Sequence, residues 1–235
     1  MNYSVITGGS SGLGLEIACM LLEKGKRVII IGRDERKLQK AMKERFDKIS
    51  EGKAVIAYAM DIAKEEDVEG FMDFLGNNGV EPEHLFNVAG THFFGDISQI
   101  GMKDIRSVLE ANMIGLIQMS IKCSLFMQKD TANRHRIISI LSTAALKGKK
   151  NESIYNAAKW GARGFLESLR DELSDSNIDI INVFPGGMKT PFWDNSTSGY
   201  KISGFMEPAD VARYIVDISL EEKLLVSDIT INRLK

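Results

Sequence analysis

Tyr155 and Lys159 stand four residues apart in Tyr155-Asn156-Ala157-Ala158-Lys159, inside a stretch patterned as a helix. Side chains at i and i+4 share one helical face, so the phenol and the ammonium are neighbours. A lysine cation there favours the phenolate, which lowers a tyrosine from its reference pKa of about 10. A tyrosine tuned in this way gives a proton to a carbonyl oxygen, or takes one from an alcohol, near neutral pH. The same spacing arises by chance on ordinary helix surfaces, so the pair acquires meaning only if other residues call for it.

A second signal lies near the amino terminus. Thr7-Gly8-Gly9-Ser10-Ser11-Gly12-Leu13-Gly14 follows a short apolar run and precedes an amphipathic pattern. Glycines there allow a tight turn and a close backbone approach to a pyrophosphate, and the helix start offers amide donors with a positive dipole end. The spacing is Gly-x-x-x-Gly-x-Gly from Gly8, not the common Gly-x-Gly-x-x-Gly fingerprint. A glycine-rich turn without a ligand is the plain alternative. No Gly-Lys-Ser/Thr follows, which excludes the phosphate loop of the nucleoside triphosphatases.

The elements that must position these groups alternate along the chain. Short β-branched runs at 3–7, 27–31, 54–60, 84–88, 136–141, 178–184 and 226–231 read as strands. Helical patterns at 13–24, 34–49, 65–75, 104–129, 153–174 and 208–219 lie between them, the last with Pro208 in its first turn. Most strands are nearly continuous apolar runs, as in a parallel sheet covered on both faces. This predicts an α/β, Rossmann-type doubly wound sheet of about seven strands with right-handed crossovers, one domain over residues 1–235. The long stretch at 186–207 holds four glycines beside Phe192, Trp193 and Tyr200, and is expected to be a substrate loop.

Composition narrows the classes. The 235 residues are 44% hydrophobic and 26% charged, with a net charge of −2. That balance argues against a general nucleic-acid or anionic-membrane binder. No apolar run approaches the roughly 20 residues that span a bilayer, and the first residues have no signal-peptide layout. A cytoplasmic location is the default. Cys19 and Cys123 are expected as buried thiols, and the scattered His84, His92 and His135 build no metal cluster.

Four motifs together make the chain recognisable. The glycine-rich turn, Asn87-Val88-Ala89-Gly90, Tyr155-x-x-x-Lys159 and Pro185-Gly186-Gly187-Met188-Lys189-Thr190 occur in the order found in the short-chain dehydrogenase/reductase family. The resemblance implies a dinucleotide held by Thr7, Gly8, Ser10, Ser11, Gly12, Leu13 and Gly14, by Asn87, Ala89 and Gly90, and by Pro185, Gly186, Met188 and Thr190. It places Asp61 and Ile62 beside the adenine; Asp61 has the competing role of capping the next helix. Cofactor choice falls to the end of the second strand, where an arginine pairs with the 2′-phosphate of NADP and a carboxylate with the 2′-hydroxyl of NAD. Arg33, with Arg36 and Lys37 nearby, favours NADP(H); the adjacent Asp34 keeps NAD(H) open.

The resemblance also assigns the chemistry. Ser142, thirteen residues before Tyr155 at the end of a strand, would hold the substrate oxygen. Asn112, an awkward residue inside an apolar helical pattern, would hold a water that relays protons. Lys159 would bind the nicotinamide ribose and tune Tyr155, which exchanges the proton while hydride moves between nicotinamide and a carbonyl carbon. The substrate walls are expected from Phe94, Gly187, Phe192 and Trp193, around Ser142 and Tyr155, and suit a small ketone, aldehyde or alcohol with apolar substituents. Lys147, Lys149 and Lys150 are read as a solvated loop, and His92 as a packing histidine. The chain departs from the family in Val88 and in ending at a last strand without a glycine-rich tail. A homodimer is expected and a tetramer left open. A non-catalytic nucleotide sensor or scaffold of the same fold is the competing class.

Overall fold

Seven strands form one wholly parallel sheet in the order β3-β2-β1-β4-β5-β6-β7. The structure, a computed structural model, describes residues 1–49, 55–194 and 199–234. The strands are β1 (Asn2–Thr7), β2 (Val28–Gly32), β3 (Val55–Ala59), β4 (Glu81–Asn87), β5 (His135–Ile140), β6 (Ile178–Pro185) and β7 (Asp228–Ile231). The helices are α1 (Gly12–Glu23), α2 (Glu35–Ala41), α3 (Glu65–Asn77), α4 (Met102–Leu109), α5 (Gly115–Met127), α6 (Ser153–Glu172) and α7 (Pro208–Ser219). All seven expected strands are present within a few residues, with Ala54 outside the described residues.

The alternation of side chains along each strand divides the core into two layers. On one face Val5, Ile29, Leu85, Ile137 and Ile180 meet Phe71 of α3, Met119 of α5 and Leu166 of α6. On the other face Ile6, Ile30, Phe86, Ile138 and Ile181 meet Ile17 of α1, Leu38 of α2 and Ile215 of α7. Cys19 belongs to the second layer and Cys123 to the first, so the sheet itself keeps the two thiols apart. The jump from β3 to β4 crosses the sheet and leaves a switch point between β1 and β4, where ligands of open α/β sheets bind.

Two expected helices are interrupted. The pattern at 104–129 reads as one helix, but a π-helical turn at Glu110–Ile114 separates α4 from α5. The pattern at 34–49 likewise passes from α2 into a π-helical turn at Met42–Phe46. Such turns insert one extra residue and re-aim a side chain without ending the helix, which hydrophobic spacing alone does not reveal. Of the loop at 186–207, short 3₁₀ turns form at Pro191–Trp193 and Ile202–Gly204, while residues 195–198 lie outside the described residues. No described helix is long and apolar enough to cross a membrane.

The amino-terminal edge of the central strands buries polar groups that the sequence gives no hint of. His84 is buried, with its Nδ1 3.1 Å from Ser4 Oγ. Burial lowers its pKa to about 4, against the opposing pull of Glu83. The unfolded value is about 6.5, so the folded form resists protonation. The stability this group contributes is complete above the unfolded value and is lost as pH falls toward about 4. Urea midpoints should therefore drop between about pH 7 and about pH 4.5 by the equivalent of about 2–3 kcal/mol, and His84→Gln should flatten that slope. A slope unchanged by His84→Gln would sink the assignment.

Candidate active site

A cleft of about 580 Å³ crosses the carboxyl ends of the strands at the switch point. Its floor is made where the turns after β1 and β4 touch. Gly8 has φ 69°, and a Cβ there would stand 2.9 Å from Ala89 Cα, so only glycine lets the two backbones meet. Thr7 locks the contact: its Oγ1 accepts from the amides of Val88 and Ala89 at 3.0 and 3.1 Å. Thr7 thus acts beneath the cleft rather than on its wall. Asn87 does the same, donating from Nδ2 to Ser120 Oγ and Ser139 Oγ at 3.0 and 3.2 Å.

Gly8, Ser10, Ser11, Gly12, Leu13 and Gly14 line the cleft, with Ala89 and Gly90 on one side and Pro185, Gly186, Met188 and Thr190 opposite. Ser11 is the N-cap of α1 and its side chain caps nothing. The first amides of the helix therefore remain open at the cleft, which fits the pyrophosphate of a dinucleotide.

The far end of the cleft is set by β2 and α2. Arg33 extends into solvent, 66% exposed, with Nη1 3.9 Å from Asp61 Oδ2. Asp34 accepts from the amides of Arg36 and Lys37 at 3.0 and 3.2 Å, so its carboxylate caps its own helix. Lys37 lines both the cleft and a shallow surface depression formed by residues 33–37. Asp61 and Ile62 do not line the cleft. Asp61 Oδ1 accepts from Ala63 N at 3.1 Å, and the N-cap of α3 is Lys64, so the helix-capping alternative for Asp61 does not hold. Ile62 turns into the core, where it fills the space over Gly115.

The reacting end gathers Asn112, Ser142, Tyr155 and Lys159 from three elements. Tyr155 and Lys159 are both buried on the face of α6 turned to the sheet. Lys159 Nζ donates to Ile140 O at 3.0 Å and lies 5.8 Å from the centre of the Tyr155 ring. Ser142 follows β5, with Oγ accepting from Ala144 N at 3.0 Å. Burial lowers the Lys159 pKa to about 8. Burial also pushes the Tyr155 phenol well above its ordinary value; a hydrogen bond with Ser142 opposes this, and the charge of Glu152 adds to it. Burial thus decides the direction, and the lysine is not among the influences that lower the phenol.

Asn112 sits in the π-helical turn, fully buried. Its Nδ2 donates to Thr91 O at 2.7 Å and to Val108 O at 2.9 Å, which orients the amide. Its Oδ1 has no hydrogen bond partner among the described residues. A Cβ on Gly90 would stand 2.6 Å from that oxygen and 3.9 Å from Lys159 Nζ, so Gly90 keeps the space between them open.

The substrate side is aromatic. Phe94 meets Tyr155 edge-on at 5.5 Å and Trp193 at 5.5 Å. His92 lies 4.5 Å from both Phe94 and Phe192, and burial lowers its pKa, as suits a packing histidine. Trp193 is fixed by Nε1 donating to Met188 O at 2.9 Å. Gly187 admits the Phe205 ring, which a Cβ would meet at 2.8 Å. Lys149 lines the cleft, whereas Lys147 and Lys150 are exposed and outside its lining. Among the wall residues the sequence did not point to are Thr91, Pro191, Phe205, in a stretch without a clear element, and Glu152. The signal for Glu152 was its place one helical turn before Tyr155.

A doubly wound parallel sheet with a glycine-rich turn and a Tyr-Lys pair at its switch point defines a Rossmann-type oxidoreductase. The sequence matches the short chain dehydrogenase family over residues 2–201, and the chain belongs to that family. Carbonyl reductase family member 4 of Xenopus tropicalis is 29% identical over 217 residues, covering 90% of this chain and 88% of that one. The crystal structure of a short-chain dehydrogenase/reductase from Vibrio parahaemolyticus is 32% identical with full coverage of both chains and a TM-score of 0.82. The closed form of serine dehydrogenase complexed with NADP+ shares the fold at 21% identity, with a TM-score of 0.87 over 98% of this chain and 94% of that one.

The Gly90–Asn112 contact is open to test. Gly90→Ala should lower stability by about 1–3 kcal/mol through overpacking, and Asn112→Ala should relieve most of that loss in the double variant. Thermal melts of the four proteins give the coupling; strictly additive losses would mean the two residues do not share this space.

Proposed function

We propose that this chain is an NADP(H)-dependent carbonyl reductase that interconverts a ketone or aldehyde with its alcohol. The observation that carries the reading is the meeting of Ser142, Tyr155, Lys159 and Asn112 in the same cleft as the open amides of α1. A nicotinamide dinucleotide bound along that cleft supplies the hydride. Tyr155, kept protonated by burial, gives its proton to the carbonyl oxygen, and takes one back in the alcohol direction. Ser142 holds the same oxygen and stabilises the charge that develops on the Tyr155 oxygen. Lys159, enclosed beside Tyr155, adds positive charge where the phenolate forms. The unpartnered Oδ1 of Asn112 positions a water that returns a proton to this pair.

The preference for NADP(H) rests on Lys37, which lines the cleft, on Arg33 in the surface depression that Lys37 shares, and on Asp34 being engaged by its own helix. The loop at 186–207 forms the substrate wall through Gly187, Phe192 and Trp193, facing Phe94. The carbonyl reductase of Xenopus tropicalis and the NADP+ of the serine dehydrogenase structure agree with this reading.

Tyr155→Phe should cut kcat by roughly 10²–10⁴-fold while dinucleotide binding, followed by fluorescence, stays within about threefold. Full turnover by that variant would remove Tyr155 from the mechanism. Arg33→Ala should weaken NADPH by about tenfold or more, the value of a charge-assisted contact, with little effect on NADH. Equal losses for both would refute the NADP(H) preference.

A further inference from the structure

Glu152 has no part in the reaction as described, yet it precedes Tyr155 by one turn on the face that carries Tyr155 and Lys159. It is 3% exposed and lines the cleft with them. A buried carboxylate is costly unless it is paired and hydrogen-bonded. The helix does not account for it: residue 152 is the N-cap of α6, and its side chain makes no cap bond. Oε1 accepts from the Tyr200 hydroxyl, contributed by the loop 48 residues onward. Oε2 lies 4.0 Å from the ammonium of Lys149, whose side chain is 40% exposed, so water screens that pair. An ionised carboxylate has about four acceptor positions, and its partners among the described residues leave capacity at the cleft wall.

The surroundings say what that capacity suits. Glu152 is the one acid among the described residues lining the cleft. The cleft it lines also carries the rings of Phe94, Phe192, Trp193 and Tyr200, packed on one another, which take an apolar carbon frame or the face of a cation. A carboxylate on the substrate would meet Glu152 with like charge. A hydroxyl or an ammonium would add a second donor to the one that Tyr200 supplies.

We propose that Glu152 is a specificity-determining residue that accepts a hydrogen bond from a hydroxyl or ammonium of the substrate, away from the carbonyl held by Tyr155 and Ser142. The preferred substrates are then hydroxy-ketones or amino-ketones, ahead of plain ketones and keto acids. The proposal rests on the carbonyl-reductase reading above.

The test is steady-state turnover with saturating NADPH on matched methyl ketones. Their far ends carry methyl, hydroxyl, ammonium or carboxylate, about two to five carbons from the carbonyl. In the wild type, kcat/KM for the best hydroxyl- or ammonium-ended ketone should exceed that of its methyl match by at least about tenfold, with the carboxylate-ended series slowest. The arm that leads tells hydroxyl from ammonium. Within each variant the ratio to the methyl match is read, so a general loss of rate does not intrude. Glu152→Leu should bring the ratios to within about threefold of one. Glu152→Gln, nearly isosteric, should lower the ammonium ratio more than the hydroxyl ratio, and serves if the leucine variant does not fold. Tyr200→Phe, which leaves the carboxylate in place, should keep the wild-type ratios. Equal wild-type rates across the series overturn the proposal, as do ratios that survive both Glu152 variants or vanish with Tyr200→Phe. If the wild type binds NADPH but reduces no ketone, the carbonyl-reductase reading falls and takes this one with it. Turnover without discrimination sinks the role of Glu152 alone.

Discussion

An ammonium cannot be withdrawn from water without compensation, and Lys159 is withdrawn almost completely. Among the described residues its one hydrogen bond acceptor is the carbonyl of Ile140, at the last residue of β5. That bond requires α6 to lie across the end of the sheet at a fixed height, and the packing of Ala162, Leu166 and Leu169 on the sheet supplies it. Once α6 is held there, Tyr155 falls one turn earlier, beside the segment that leaves β5 through Ser142. Burial has already reduced the affinity of Lys159 for its proton, to a pKa of about 8. The Ile140 carbonyl is the compensation that the sheet offers to this withdrawn cation.

The same constraint explains why the turn after β4 is built from small residues. Gly90 borders both Lys159 Nζ and Asn112 Oδ1, and a side chain there would divide them. Thr7 holds this turn against the glycine-rich turn after β1 through two amide hydrogen bonds. A hydroxyl on the first strand therefore sets the distance between the part of the cleft suited to phosphates and the part suited to proton transfer. Two motifs distant in sequence act as one floor.

Much of this was legible before the structure. The glycine-rich turn, the Tyr155/Lys159 spacing and the position of Ser142 at the end of β5 depend on local rules of backbone and helical periodicity, and the structure brings them into one cleft. What could not be read depends on competition between local and tertiary terms. The helix at 104–129 hides its π-helical turn because one inserted residue barely disturbs an apolar pattern; only the misplaced Asn112 marked the spot. Asp34 resembled a ribose ligand by position, yet its carboxylate is engaged by the amides two and three residues on. Ile62, which the resemblance places beside the adenine, turns its side chain into the core, which its position in the sequence did not reveal. The shift of Tyr155 could not be given its sign from spacing, since desolvation exceeds the influence of a neighbouring charge once both groups are buried.

The two shifts at the centre of the site have a joint consequence. Burial acts on the charged form of each group, so it raises the phenol and lowers the ammonium together. The resting pair is accordingly a neutral tyrosine beside a lysine that is still mostly protonated at neutral pH. In that state the Tyr155 hydroxyl keeps its proton, as the proposed reduction requires of a donor. Ser142 is the group in the structure that already favours the phenolate, through its hydrogen bond. Glu152 opposes it from one turn away. Burial remains the largest influence on the phenol, and Ser142 and Glu152 act on it in opposite directions from positions that flank the Tyr-x-x-x-Lys spacing rather than belong to it.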